Sequence, residues 1–158
     1  MVFRGFLSDF LEAGNNQLNL RDEILVYTCD RDSKKVKELQ NNHNAEICWY
    51  FPQTREQFRL KSVGTLVLSP ENDGTYCTNK EIIRKKVWNF ISDSAKEMFI
   101  RKQNSNGTGG DLKNLEEGYC NFGIILFNVS CIDHVVLPNV RSIYKNESDG
   151  GDWKLITD

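Results

Sequence analysis

Residues 121–129, Asn-Phe-Gly-Ile-Ile-Leu-Phe-Asn-Val, constrain the fold of this chain more than any other stretch. The run is apolar at both odd and even positions, so as a strand it carries hydrophobic side chains on both faces. A single-layered sheet with one wet face cannot bury such a strand. It needs closure into a barrel, or a covering layer on each side. A second apolar run, Ile132 to Leu137, follows closely and reads as a further strand.

The same period-2 logic recurs along the chain. Glu23 to Cys29 is rich in β-branched and aromatic residues, and Ala45 to Phe51 places Ala45, Ile47, Trp49 and Phe51 on one face with Glu46, Cys48 and Tyr50 opposite. Between them Ser33 is a natural N-cap for a short helix with Val36 and Leu39 on one side, giving a β-α-β order. Gln57 to Leu68 alternates as one long strand with a bulge or bend at Gly64, and Pro70 ends it. Thr78 and Glu81 stand in capping-box spacing before Ile83, Val87, Phe90 and Ile91, a helical period that runs on to Phe99, with Ser92-Asp93-Ser94 as a candidate break. The glycine-rich polar stretch from about residue 101 to 119 reads as a flexible surface loop. Val140 to Lys145 and Asp152 to Thr157 flank a hairpin turn at 146–151. The fold class expected is mainly β (α+β): one domain over residues 1–158, with seven or eight strands forming a small barrel and helices packed outside.

Composition narrows the partners. At 39% hydrophobic and 27% charged residues, with no apolar run near the roughly 20 residues that span a bilayer, no membrane helix is expected. Twenty basic against 22 acidic residues give a net charge of -2, which provides no global attraction for nucleic acid or anionic lipid, so any anion site must be local. Five scattered cysteines without a CxxC pair indicate neither a disulfide framework nor zinc, and place the chain in the cytoplasm, with the nucleus open to it by diffusion. His43 and His134 form no metal pair or triad, and no P-loop, GxSxG, HExxH or GxGxxG motif occurs. If the chain is an enzyme, a cofactor carries the hard step.

One segment does suggest a local anion site. Ser33-Lys34-Lys35 puts two cations on the first turn of a helix, where the dipole is already positive, a conflict that a bound phosphate would resolve. A solvated basic face tempered by Asp30, Asp32 and Glu38 explains the segment equally well. Gln57 offers a donor and an acceptor suited to a planar heterocycle, and Arg141 is a lone basic group late in the chain.

Taken together, Val2-Phe3-Arg4-Gly5-Phe6, Tyr27-Thr28, Ser33-Lys34-Lys35, Ala45-Glu46-Ile47-Cys48-Trp49-Tyr50-Phe51-Pro52 and Arg55-Glu56-Gln57-Phe58-Arg59 resemble the pyridoxamine 5'-phosphate oxidase-like family of FMN-binding split barrels. The resemblance covers nearly the whole chain and implies a six-stranded Greek-key split barrel, a homodimer, and FMN bound in a groove between subunits. It also implies that Tyr27 and Thr28 line the flavin and that Ser33, Lys34 and Lys35 hold its phosphate. Gln57 would then contact the ring, Val2, Phe3 and Arg4 would form the flavin-side strand, and Arg141 would reach the cofactor from the same or the partner chain. The family's N-terminal helix, first strand and phosphate-contacting arginine have no counterpart before Val2; with Met1 as the native start this implies FMN binding nearer micromolar than nanomolar, and with an upstream segment lost, restoring it is expected to tighten binding. Ser62 stands where the family usually has glycine, and Leu137-Pro138-Asn139-Val140-Arg141 replaces its late arginine-leucine-histidine substrate motif. The function expected is therefore that of an FMN-dependent oxidoreductase acting on a substrate other than pyridoxamine phosphate. The alternatives are a non-catalytic flavin-binding or dimerisation module, or a truncated copy that folds without cofactor.

Overall fold

The structure, a computed structural model, describes residues 1–11, 24–69, 78–100, 115–138, 140–146 and 152–156. Its strands are β1 (Val2–Phe6), β2 (Ile24–Asp30), β3 (Asn44–Phe51), β4 (Glu56–Val67), β5 (Phe122–Val136), β6 (Val140–Asn146) and β7 (Trp153–Ile156). Every pairing is antiparallel. The main order is β1-β2-β5-β4-β3, with β6 and β7 extending from the second half of β5. The β6–β7 hairpin accounts for a seventh strand beyond the six that the family resemblance implies. No helix among the described residues is long and apolar enough to cross a membrane.

The doubly apolar segment sits at the centre, as its pattern demands. Phe122, Ile124 and Leu126 face a core built with Ile83, Val87, Trp88 and Phe99, while Ile125, Phe127 and Val129 face the barrel interior with Leu25, Tyr27 and Leu60. The two runs expected as separate strands are one strand. Lys61 pairs with Cys131 and Ser62 with Val129, so Ser130 is an extra residue, a bulge whose hydroxyl donates to the Lys61 carbonyl at 3.3 Å. Polar Asn128 and Ser130 mark that bulge rather than a strand end. There β5 changes neighbours, from β2 on its first half to β6 on its second.

The bulge also lies away from Gly64, where the sequence suggested it. Gly64 keeps regular pairing with Phe127 and donates its N–H to the His43 carbonyl at 2.8 Å. Its need for glycine is close approach, since a Cβ there would stand 2.9 Å from the Phe127 ring. Nor do β2 and β3 make a parallel β-α-β unit: β5 and β4 lie between them, because both edges of β2 are taken by β1 and β5 and the turn at 52–55 folds β3 onto β4. Phe3 on β1 meets Trp49 on β3 with ring centroids 5.3 Å apart, so aromatic side chains bring together the two ends of the curled sheet.

Among the described residues four α-helices, α1 (Lys34–Asn41), α2 (Thr78–Phe90), α3 (Asp93–Glu97) and α4 (Leu115–Asn121), and a 3-10 turn at Leu7–Phe10 complete the fold. The expected break holds, Ser92 Oγ accepting from the Ala95 N–H to start α3. The loop expected to about residue 119 is helical from Leu115 onward, and its earlier part, 101–114, lies outside the described residues. The reason is tertiary packing: Tyr119 of α4 lies against Trp88 and under the Arg84 guanidinium, which is 3.9 Å from the ring centroid. Arg84, only 1% exposed, forks onto Glu81 at 2.7 and 2.8 Å and donates to the carbonyls of Tyr119 and Phe122 at 2.9 and 2.8 Å. These bonds tie α2 to α4 and to the start of β5.

Candidate functional site

A cavity of about 410 Å³ opens where β1, β2 and the start of α1 converge, lined in part by Val2, Arg4, Thr28, Ser33, Lys34 and Lys35. Among the described residues three cationic side chains, Arg4, Lys34 and Lys35, line it against one carboxylate, that of Asp30. The capped start of α1 stands in its wall, Ser33, Lys34 and Lys35 all lining it. Ser33 Oγ accepts from the Val36 N–H at 3.4 Å, which leaves its hydroxyl proton to donate. Lys34 also reaches Glu38 at 3.4 Å, so the charge conflict at the helix start is eased partly within α1.

Arg4 owes its position to backbone geometry. Phe3 pairs with Tyr27 and Gly5 with Val26, so Arg4 is the extra residue of a bulge in β1. Gly5 adopts φ +143°, and a Cβ on it would stand 2.5 Å from Asp9 Oδ2, the atom that accepts the Phe6 N–H. The bulge turns Arg4 so that its Nε donates to Thr28 Oγ1 at 3.4 Å, beside the cavity.

The other four candidates lie elsewhere in the chain. Tyr27 faces the barrel interior, because it alternates with Thr28, and packs on Phe127 at 5.5 Å; Phe3, 37% exposed, lies over it at 5.4 Å. Burial raises the Tyr27 phenol above its ordinary value, a hydrogen bond from Trp49 acting the other way. Burial likewise pushes the Cys29 thiol, at the cavity wall, up to about 12. Gln57 lies ten residues along β4 from Val67, the residue level with Thr28 across β5, which is roughly 33 Å of extended strand. Arg141 is on β6, beside the same end of β5.

Around Gln57 and Arg141 lies a polar group that sequence reasoning missed. Arg141 forks onto Asp133, Nε and Nη2 each at 2.9 Å. That fork holds the Asp133 carboxyl below the usual carboxylate range against the opposing effect of burial, and Arg59 and Lys61 add to it. The signal was available as alternation: Gln57, Arg59 and Lys61 share one face of β4, and Arg59 pairs directly with Asp133. His134 points to the other face, its ring stacked 4.2 Å over Phe58 and its Nε2 2.8 Å from Glu56. Among the described residues no group of three or more His, Cys, Asp or Glu could hold a metal.

Comparison with known proteins bears on the family and the fold. Residues 1–68 match the family described as "Pyridoxamine 5'-phosphate oxidase, FMN-binding domain". Pyridoxine/pyridoxamine 5'-phosphate oxidase 2 of Arabidopsis thaliana is 32% identical over 88 residues, 56% of this chain; the chain spans only 36% of that relative's length. A pyridoxamine 5'-phosphate oxidase-related, FMN-binding protein of Nostoc punctiforme superposes with a TM-score of 0.69 at 27% identity, over 99% of this chain and 78% of that one. PhzG of Burkholderia lata, solved with tetrahydrophenazine-1-carboxylic acid, shares the fold with a TM-score of 0.54 at 14% identity, over 86% and 68% of the two chains. Sequence over the first 68 residues and fold over nearly the whole chain point the same way: the first part of the chain is similar to the FMN-binding domain of pyridoxamine 5'-phosphate oxidases, and the fold is that of a split barrel.

Proposed function

We propose that this chain binds FMN, with the phosphate in the cavity beside β1, β2 and α1, and that it works as a cytoplasmic homodimer carrying out a flavin-dependent oxidation or reduction. The observation that carries the reading is the donor set of that cavity: Arg4, Lys34, Lys35, the Ser33 and Thr28 hydroxyls and the first N–H groups of α1, all suited to a phosphate dianion. Bound flavin supplies a ring that exchanges a hydride with a substrate. The chain's own residues anchor the phosphate, and they orient the ring by hydrogen bonds from Gln57. In a single chain Gln57 and Arg141 lie too far along the barrel to reach that cavity, which supports a groove completed by Gln57 and Arg141 of a second copy. The thiols of Cys29, Cys48, Cys120 and Cys131, none in a disulfide, fit a reducing compartment.

The purified chain should take up FMN, giving a visible flavin band and quenched flavin fluorescence on titration. No band after FMN addition would overturn the reading. A second reading, a flavin-holding module without chemistry, is favoured by the cavity lining: it includes no histidine, and its one thiol is held up at about 12. Turnover of a reduced substrate under air would exclude it.

A further inference from the structure

The β4–β5–β6 face carries the inference. Gln57 is half-buried, and one end of its amide lies 2.7 Å from Arg59 Nε and 3.2 Å from Nη2; facing only guanidinium donors, that end is assigned as the oxygen, the orientation in which it accepts from both. The opposite orientation would set the amide NH2 against guanidinium donors, a clash of like partial charges with no acceptor between them. Arg59 stands directly across the strands from Asp133, which is 8% exposed, feels the Arg59 charge and already holds Arg141. A polar row Gln57–Arg59–Asp133–Arg141 thus crosses three strands on one face.

We infer that Arg59 is a positioning residue that fixes the Gln57 amide with its oxygen inward, so that Gln57 presents only N–H donors and reads an acceptor edge, a carbonyl oxygen or unprotonated ring nitrogen, of the heterocycle. The inference deepens the proposed flavin site and rests on it for the identity of the ligand. A glutamine free to rotate serves donor and acceptor edges alike; this one is committed. Preorganisation of that kind removes the cost of ordering the side chain on binding.

Two measurements separate this inference from the reading beneath it. In the ligand-free chain the side-chain amide cross-peaks of Gln57, assigned by their loss in Gln57→Leu, should shift in Arg59→Met; unmoved cross-peaks overturn the inference whatever the chain binds. In FMN titrations Gln57→Leu and Arg59→Met should each weaken binding about fivefold to tenfold, the worth of one hydrogen bond. The double variant should bind no worse than Gln57→Leu alone. Gln57→Glu, which can only accept, should lose at least as much as Gln57→Leu. Additive losses, or full affinity in Arg59→Met, overturn the inference while leaving FMN binding intact. Failure of the unaltered chain to bind FMN overturns both the proposed function and the flavin edge assigned to Gln57, and the amide shifts then decide the role of Arg59 alone.

Discussion

Arg4 shows how much of the cavity depends on one residue that makes no contact with it. Gly5 holds the β1 bulge at a φ that side chains rarely adopt, with Asp9 packed where a Cβ would go. Gly5→Ala should therefore cost more than about 1 kcal/mol of stability. Because the bulge aims Arg4, the same change should also weaken FMN binding beyond that loss; calorimetric melting alongside titration at a temperature where both proteins are folded checks the pair. In the proposed site Lys34 and Lys35 act directly. Replacing both with Ala should weaken FMN roughly tenfold and riboflavin hardly at all, since riboflavin lacks the phosphate. Equal losses for the two ligands would place the phosphate elsewhere. The lysines and the serine cap were legible in the sequence because helix-start chemistry is local. Arg4's orientation was not, since a bulge is set by pairing with β2 that no local pattern announces.

At the scale of elements, the strands were legible because alternation is a property of each segment, and β3 shows it plainly, with Ala45, Ile47 and Trp49 half-buried and Glu46, Cys48 and Tyr50 exposed. Helix α4 was not, since Gly118 and the polar residues around it read as loop until Trp88 and Arg84 are placed against Tyr119. The α2–α4–β5 junction carries its own prediction. Arg84→Leu leaves two carbonyls and the Glu81 carboxylate without their partner and should destabilise the chain by about 3 kcal/mol, measured by urea unfolding. Burial alone would raise the Glu81 carboxyl, but bonds from Arg84 and from the Tyr119 hydroxyl, at 2.6 Å, win and hold it below the ordinary value. A carboxylate depressed on folding stabilises the protein above its unfolded pKa, about 4.3, and loses that contribution as pH falls through the folded value. Stability should thus decline on acidification below about pH 5, and Glu81→Gln should flatten that decline while lowering stability at pH 7. An unchanged slope would mean that other carboxylates, Asp133 among them, dominate the acid response.

At the scale of the whole molecule, the proposed function requires two distant groups of residues to serve one ligand. Val2, Arg4, Thr28, Ser33, Lys34 and Lys35 stand at one end of the curled sheet, while Gln57 and Arg141 stand beside the far half of β5. The proposed symmetric pair of chains would resolve the separation if its two-fold axis set one end of each barrel against the other end of its neighbour. Sedimentation should then give about twice the 18.2 kDa chain mass. Mass alone does not show that the site is shared, but complementation does. A chain carrying Lys34→Ala and Lys35→Ala and a chain carrying Gln57→Leu and Arg141→Ala should each bind FMN weakly as homodimers, since every site in them is defective. Mixed and allowed to exchange, they form heterodimers in which one groove collects all four substitutions and the other collects none. Binding at unaltered affinity should therefore reappear, at one FMN per heterodimer and hence half the stoichiometry of the original protein. If each site were built within a single chain, every groove in the mixture would keep its defect and no high-affinity binding would return.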